Sequence, residues 1–174
     1  RRIIKKEFKQ AVNMMDEYQV KKHLEEKPND FIGALKTLPL RSLRMYVNAY
    51  QSYLWNKTVA LYLGKKGRNP KILKYTLGSL VFISDTENFK DLKIPLIGCG
   101  DEAVEDKEIS EIIDIVMKEE ELSYPDFIIK QIPELTLEGE LRKVMVSVEG
   151  LKIGKKAKDE LNEEKKKVKI CFSL

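Results

Sequence analysis

Histidine occurs once in these 174 residues, at His23, and cysteine twice, at Cys99 and Cys171. A single imidazole rules against a histidine-rich metal site or a Ser–His–Asp type nucleophile. The two cysteines are far apart and lack the C-x-x-C spacing, which argues against a disulfide framework and a zinc site and for a reducing compartment. No apolar run reaches the roughly 18 residues of a membrane span, and no secretory leader pattern is present. The reading is a soluble, cytoplasmic protein. Glycine patterns exclude two nucleotide folds. Gly64-Lys65-Lys66-Gly67-Arg68-Asn69-Pro70 lacks the spacing and closing Lys-Ser/Thr of a P-loop. Gly98-Cys99-Gly100 lacks the third glycine and strand–helix context of a dinucleotide fingerprint.

What is present is globular. Apolar residues make up 43% of the chain and charged residues 34%, a lysine- and glutamate-rich bias of the kind found in hyperthermophile proteins. The net charge is +4, from 32 basic and 28 acidic side chains. It suits either a solvated surface or a modest basic face toward a phosphate backbone. The basic residues crowd 1–6, 65–74 and 152–169, whereas 101–121 is acidic.

Periodicity predicts helices over 3–24, 31–38 and 41–63, with Asn29 or Asp30 capping the second. The stretch from Leu40 to Asn56 holds Tyr46, Tyr50 and Tyr53, three of the seven tyrosines, and the only tryptophan, Trp55. The expected apolar face of the third helix is Leu43, Tyr46, Val47, Tyr50, Leu54, Leu61 and Tyr62, with Pro39 before it and Gly64 as its stop. Residues 64–70 read as a basic loop, either a solvated connector or a phosphate contact. Strands are expected within 75–83, at the edge over 94–100 because of Pro95, and over 141–149 and 167–174. The last two are expected to pair antiparallel, across a connector at 154–167 that is partly helical. An amphipathic helix over 104–121 buries Val104, Ile109, Ile112, Ile113, Val116 and Met117. Its carboxylates, Glu102, Glu105, Asp106, Glu108, Glu111, Asp114, Glu119, Glu120 and Glu121, are expected to face solvent and to turn that side away from nucleic acid. A short helix is expected from Phe127 to Gln131.

The fold class expected is α+β, an N-terminal helical group followed by a small mixed α/β region. The division is placed at 1–64 and 65–174. The first residue is Arg, and the last segment ends on an apolar strand pattern, so the chain reads as a piece of a longer protein.

Ala49-Tyr50-Gln51-Ser52-Tyr53-Leu54-Trp55-Asn56, preceded by Leu43-Arg44-Met45-Tyr46-Val47, resembles the motif helix of the tRNA pseudouridine synthase D family in its archaeal and eukaryotic form. Ile132-Pro133-Glu134-Leu135 with Gly139 and Arg142, and Lys169-Ile170-Cys171-Phe172-Ser173-Leu174, resemble two later stretches of that family in the same order. The resemblance implies part of an isomerase that converts a uridine of tRNA to pseudouridine, with tRNA as partner and with no cofactor or metal. In such a family an Asp carboxylate starts the reaction on a nucleotide taken out of its stack. The family's Gly-x-Lys-Asp segment has no counterpart here, nor have its Asn-Tyr-Phe-Gly and Gly-Ser-Tyr-Ala-Thr segments. No catalytic residue is therefore assigned within this chain, and the 174 residues alone are expected to be inactive.

Arg41, Arg44, Tyr50, Gln51, Ser52 and Asn56 are the candidates for RNA binding or active-site support. Arg41 and Arg44 sit where the helix dipole disfavours cations, which suggests that an anion faces them. Gln51, Ser52 and Asn56 either lock the helix to neighbouring segments or line a cleft. Trp55 reads as core, needing one partner for its N–H. Two other classes compete. One is an RNA-binding module without chemistry, which lacks RNP and KH signatures. The other is a helical interaction scaffold.

Overall fold

A computed structural model describes residues 1–100, 104 and 106–173. Among these described residues the helices and strands are as follows: five α-helices run in the order α1 (Phe8–Asn13), α2 (Tyr18–Glu26), α3 (Phe31–Lys36), α4 (Leu40–Lys66) and α5 (Lys107–Glu119). Eight short strands are β1 (Lys71–Tyr75), β2 (Gly78–Phe82), β3 (Lys93–Pro95), β4 (Leu141–Lys143), β5 (Glu149–Ile153), β6 (Ala157–Lys158), β7 (Lys166–Lys167) and β8 (Ile170–Ser173). They pair as four separate antiparallel ladders, β1–β2, β3–β4, β5–β8 and β6–β7. The chain is thus α+β, as its patterning predicts.

The 27-residue helix α4 is the axis of the molecule. Its buried stripe is Leu43, Val47, Gln51, Leu54, Trp55, Thr58, Tyr62 and Leu63. Tyr46 and Leu61, expected on this face, are exposed. Two polar residues occupy the stripe instead. Thr58 is satisfied inside the helix, its Oγ1 donating to the Leu54 carbonyl at 3.0 Å. Gly64 does not stop the helix. The last turn continues to Lys66, and the N–H of Gly67 closes it on the Leu63 carbonyl at 2.8 Å. Lys65 and Lys66 hold that turn by gripping Glu108 of α5 at 2.7 and 2.5 Å, cations at the helix end where the dipole favours them.

One apolar cluster joins the N-terminal helices, α4, α5, β3 and the 127–137 segment. Helix α5 buries Ile109, Ile112, Ile113, Val116 and Met117 as its periodicity predicts. Val104 precedes the helix, half-buried, and the expected carboxylates Glu102 and Glu105 lie outside the described residues. Asp106 caps α5 through the N–H groups of Glu108 and Ile109. Asp30 caps α3 through the N–H of Gly33 at 2.8 Å and accepts from His23 at 2.9 Å.

Four expectations need correction. The helix expected over 3–24 is broken between Asn13 and Glu17. Asn13 and Asp16 compete for backbone hydrogen bonds and favour caps and turns over helix interiors. The stretch from Phe127 forms only a single 3-10 turn, Tyr124–Phe127, opened by Pro125 and closed at Ile128 in extended backbone. The strand expected over 141–149 is split. β4 pairs with β3, and the N–H of Val144 donates to the Leu92 carbonyl at 3.0 Å. The partner of β8 is β5, further along the chain. Residues 154–167 are not helical but hold the β6–β7 hairpin, because five charged residues in a row from Glu163 to Lys167 offer no apolar stripe to bury.

Candidate functional site: the junction under the motif helix

The three sequence stretches singled out above are brought together only in part. Gln51 is 7% exposed, and its Nε2 donates to two backbone carbonyls, Ile97 and Glu138, at 3.0 Å each. Both amide hydrogens are therefore used. Those carbonyls belong to two segments that continue the β3–β4 ladder. The N–H of Leu96 donates to the Glu140 carbonyl at 2.8 Å, and the N–H of Cys99 to the Leu137 carbonyl at 2.7 Å. One turn further along α4, Trp55 donates its indole N–H to the Ile94 carbonyl at 2.9 Å. The guanidinium of Arg142 lies over the Trp55 ring, 4.7 Å from its centre, a cation–π geometry. At the other end, Arg44 Nε donates to the Glu134 carbonyl at 3.3 Å. Residues 44, 51 and 55 of the motif helix thus grip residues 134, 138 and 142 of the second motif stretch. Of the third stretch, the described residues 169–173 make none of these contacts; β8 pairs with β5 and is exposed at every position.

Gly98 makes this crossing possible. A Cβ there would sit 2.3 Å from the Glu138 carbonyl carbon and 2.3 Å from the Gly139 nitrogen.

The remaining candidates occupy different surroundings. Asn56 borders a cleft of about 620 Å³ with Trp55, Val81, Lys90, Val144 and Ser147. It is half-buried, with no side-chain hydrogen bond among the described residues. Ser52 is half-buried and likewise has none. Arg41 is exposed and pairs with no carboxylate among the described residues, and Arg44 meets a carbonyl rather than an anion. Among the described residues no carboxylate faces either arginine.

Tyr50 leads to a cluster that sequence reading assigned to solvent. Glu120, at the end of α5, is 9% exposed. Its Oε2 accepts from the Tyr50 hydroxyl at 2.9 Å. Its Oε1 accepts from the Tyr53 hydroxyl at 3.0 Å and from Lys57 Nζ at 2.9 Å. Arg1 donates to the Glu120 carbonyl at 3.4 Å. The rings of Tyr50 and Tyr53 stack with centres 5.7 Å apart. Lys57 also reaches Glu119 at 3.0 Å. Burial raises the Glu120 pKa, but the bonds from Lys57, Tyr50 and Tyr53 outweigh it and hold the carboxyl below its usual range. Burial and the bond to Glu120 push the Tyr50 hydroxyl up. Burial lowers the Lys57 pKa, and the bonds to Glu120 and Glu119 more than reverse that. The signal was present in the sequence, since Tyr50, Tyr53 and Lys57 follow at three and four residues on one helix face. What α5 offered them was not.

The basic loop is partly consumed by the fold. The N–H of Arg68 donates to Asp85 at 2.8 Å and its carbonyl accepts from Ser84. This backbone turns toward its own carboxylate rather than toward a free anion. Among the described residues no group of three or more His, Cys, Asp or Glu is placed to hold a metal ion. No helix among them is long and apolar enough to cross a membrane.

The geometry defines a bracing junction, with its polar side chains committed to backbone. Comparison with known proteins gives it a family. The family model described as tRNA pseudouridine synthase D (TruD) matches residues 2–94 and 84–174. A probable tRNA pseudouridine synthase D 2 of Methanocaldococcus jannaschii is 34% identical over 94% of this chain and 38% of its own length. A tRNA pseudouridine synthase D of Aquifex aeolicus is 31% identical over 83% of this chain and 36% of its own. The crystal structure of a putative TruD from Methanosarcina mazei superposes with a TM-score of 0.60 at 25% identity, over 95% of this chain and 43% of that one. The chain belongs to the tRNA pseudouridine synthase D family. It spans about two fifths of the length of the relatives it matches.

The junction carries a direct prediction. Gln51→Ala leaves the Ile97 and Glu138 carbonyls without their donor and lowers stability by at least about 2 kcal/mol, at roughly 1–3 kcal/mol for each buried group left unpaired. Asn56→Ala, which breaks no hydrogen bond in the fold, stays within about 0.5 kcal/mol. Urea unfolding of both variants checks this. Equal losses at the two positions would show that the Gln51 fork is not what holds the junction.

Proposed function

We propose that this chain is part of an isomerase that converts a uridine of tRNA to pseudouridine, acting as the brace of the active site rather than as its reacting centre. The observation that carries the reading is the junction itself. The family's motif helix spends Gln51, Trp55 and Arg44 on holding the 94–97 and 134–142 stretches. The names of the relatives supply the reaction and the tRNA substrate. On this reading Gln51 and Tyr50 are support residues, acting through the segments they fix. Arg41, Ser52 and Asn56 keep polar groups open to a cleft or to solvent and are the members of the set free to meet RNA. The reacting Asp belongs to a Gly-x-Lys-Asp segment that these residues do not include. Residues 1–64 then serve as helical support and 65–174 as the α/β part, in a cytoplasmic enzyme.

The test is a chimera. The 174 residues replace the matching part of the Methanocaldococcus jannaschii relative, and pseudouridine is measured in unmodified tRNA transcripts. The chimera is expected to form pseudouridine, and the 174-residue chain alone to form none. A folded chimera without turnover beside an active parent, or turnover by the isolated chain, would each defeat the proposal.

A further inference from the structure

The segment 152–169, the β6–β7 hairpin with the residues on either side of it, carries the net charge of the whole molecule, while the hairpin itself (157–167) balances four lysines against four carboxylates. Residues 152–169 hold eight lysines and four carboxylates, an excess of four that equals the net +4 of the chain, so the remaining residues balance. The two signs are sorted along the hairpin. The carboxylates Asp159, Glu160, Glu163 and Glu164 sit at the turn end, where Asp159 accepts from the Leu161 N–H at 2.9 Å and from Asn162 at 3.0 Å to shape the turn. Lys158, Lys165, Lys166 and Lys167 occupy the stem, Lys155 and Lys156 lead into it, and Lys152 and Lys169 lie just outside. Every one of them is exposed, and among the described residues only Lys167 has an ion-pair partner, Glu160 at 2.6 Å.

The register adds an independent point. Lys158 stands directly opposite Lys166. Like charges facing each other across a ladder are destabilising, and two-residue strands have little else to hold them. A stem built this way gains stability when a polyanion neutralises it. Between Lys155 and Lys167 the only apolar side chains are Ala157 and Leu161, too few to enter a lipid interface.

We propose that the base of the β6–β7 hairpin, through Lys155 and Lys156 leading into it and Lys158, Lys165 and Lys166 on its stem, is a contact site for the phosphate backbone of the RNA. This rests on the tRNA reading above and adds to it the surface that engages the polyanion, apart from the junction under α4. Such contacts release counterions and read no base sequence.

The experiment compares two variants of equal net charge in the full 174-residue chain. One changes Lys155, Lys156, Lys158, Lys165 and Lys166 to Gln. The other changes Lys9, Lys22, Lys27, Lys36 and Lys118, also exposed and without ion pairs among the described residues, to Gln. Binding of unfractionated tRNA is followed from 50 to 200 mM salt. Five neutralised phosphates give a log–log slope of roughly −3.5 and about a hundredfold weakening over that range. The hairpin variant is expected to lose at least tenfold at 50 mM and to flatten the slope, while the second variant stays within about twofold of the parent. Equal behaviour of the two variants overturns the proposal. So does absence of tRNA binding by the parent at 50 mM, or capture of phosphatidylserine vesicles in place of tRNA. The chimera separates the two readings. Turnover with an unchanged tRNA KM when its five hairpin lysines are Gln overturns the contact site and leaves the activity standing. A dead chimera beside a chain that binds tRNA through the hairpin overturns the activity and leaves the contact site standing.

Discussion

Glu120→Ala is expected to lower the stability of the chain by about 3 kcal/mol, the low end of the range for removing one partner from a buried ion pair. Lys57 is partly open to water, which tempers the effect. The substitution strips the hydrogen-bond acceptor from Tyr50, Tyr53 and Lys57 together. It also uncouples the end of α5 from the middle of α4. Glu120→Gln is milder, since its carbonyl oxygen still accepts one of the hydroxyls, while its amide faces donors. The pH dependence follows from the direction of the shifts. A carboxyl held low in the folded state contributes stability above about pH 4.5 and loses it as pH falls through its folded value. The Tyr50 hydroxyl and the Lys57 ammonium, both held high, contribute below about pH 10 and lose it as pH rises through their folded values. Stability should thus form a plateau between these limits. The Glu120→Gln variant should lack part of the acid limb. Urea midpoints from pH 3 to 7 read this, and an acid limb identical in parent and Gln variant would remove Glu120 as its cause.

Gly98→Ala carries the second large effect, with a loss of about 3 kcal/mol or more. A methyl group there meets carbonyl carbon and nitrogen of Glu138 and Gly139 at 2.3 Å. Backbone cannot swing aside as a side chain does. Relief requires the 96–99 and 137–140 segments to part, which lengthens both Gln51 hydrogen bonds. Hydrogen exchange at the Leu96 and Cys99 amides should accelerate with the drop in midpoint. Gly64→Ala is the internal control, with the opposite sign. Gly64 lies inside α4 with nothing within 4 Å of its added Cβ, so alanine there should stabilise by roughly 0.5–1 kcal/mol. A Gly98→Ala protein as stable as the parent would mean that the two segments do not cross as closely as described.

The outcomes divide by the range of the interaction that decides them. The cap of α3 at Asp30, the apolar face of α5 and the buried indole of Trp55 rest on local spacing and single-residue chemistry, and the sequence makes them legible. The end of α4 depends on Glu108, far along the chain, so Gly64 misled. Glu120 is one carboxylate among many on an acidic stretch. Only the approach of Tyr50, Tyr53 and Lys57 distinguishes it, and periodicity of α5 alone is blind to that. The alternating Val144, Val146 and Val148 fall between the two ladders, after β4 ends at Lys143 and before β5 begins at Glu149, and Val146 and Val148 are exposed; which residues pair is decided by β3 and β8, not by the alternation. In the site, Gln51 was singled out correctly as a polar residue needing partners. The identity of those partners, two backbone carbonyls 46 and 87 residues along the chain from it, is a property of the fold.

Trp55, lying beneath Arg142 with its N–H on Ile94, gives the protein a built-in optical gauge. It is the sole indole, so the emission of the chain reports one place, the seam where the β3–β4 ladder rests on α4. A shielded indole emits further to the blue than one in water, so its emission shifts red as the seam admits water. Loosening of the seam can therefore be followed in real time, without a label, separately from events on the β6–β7 hairpin.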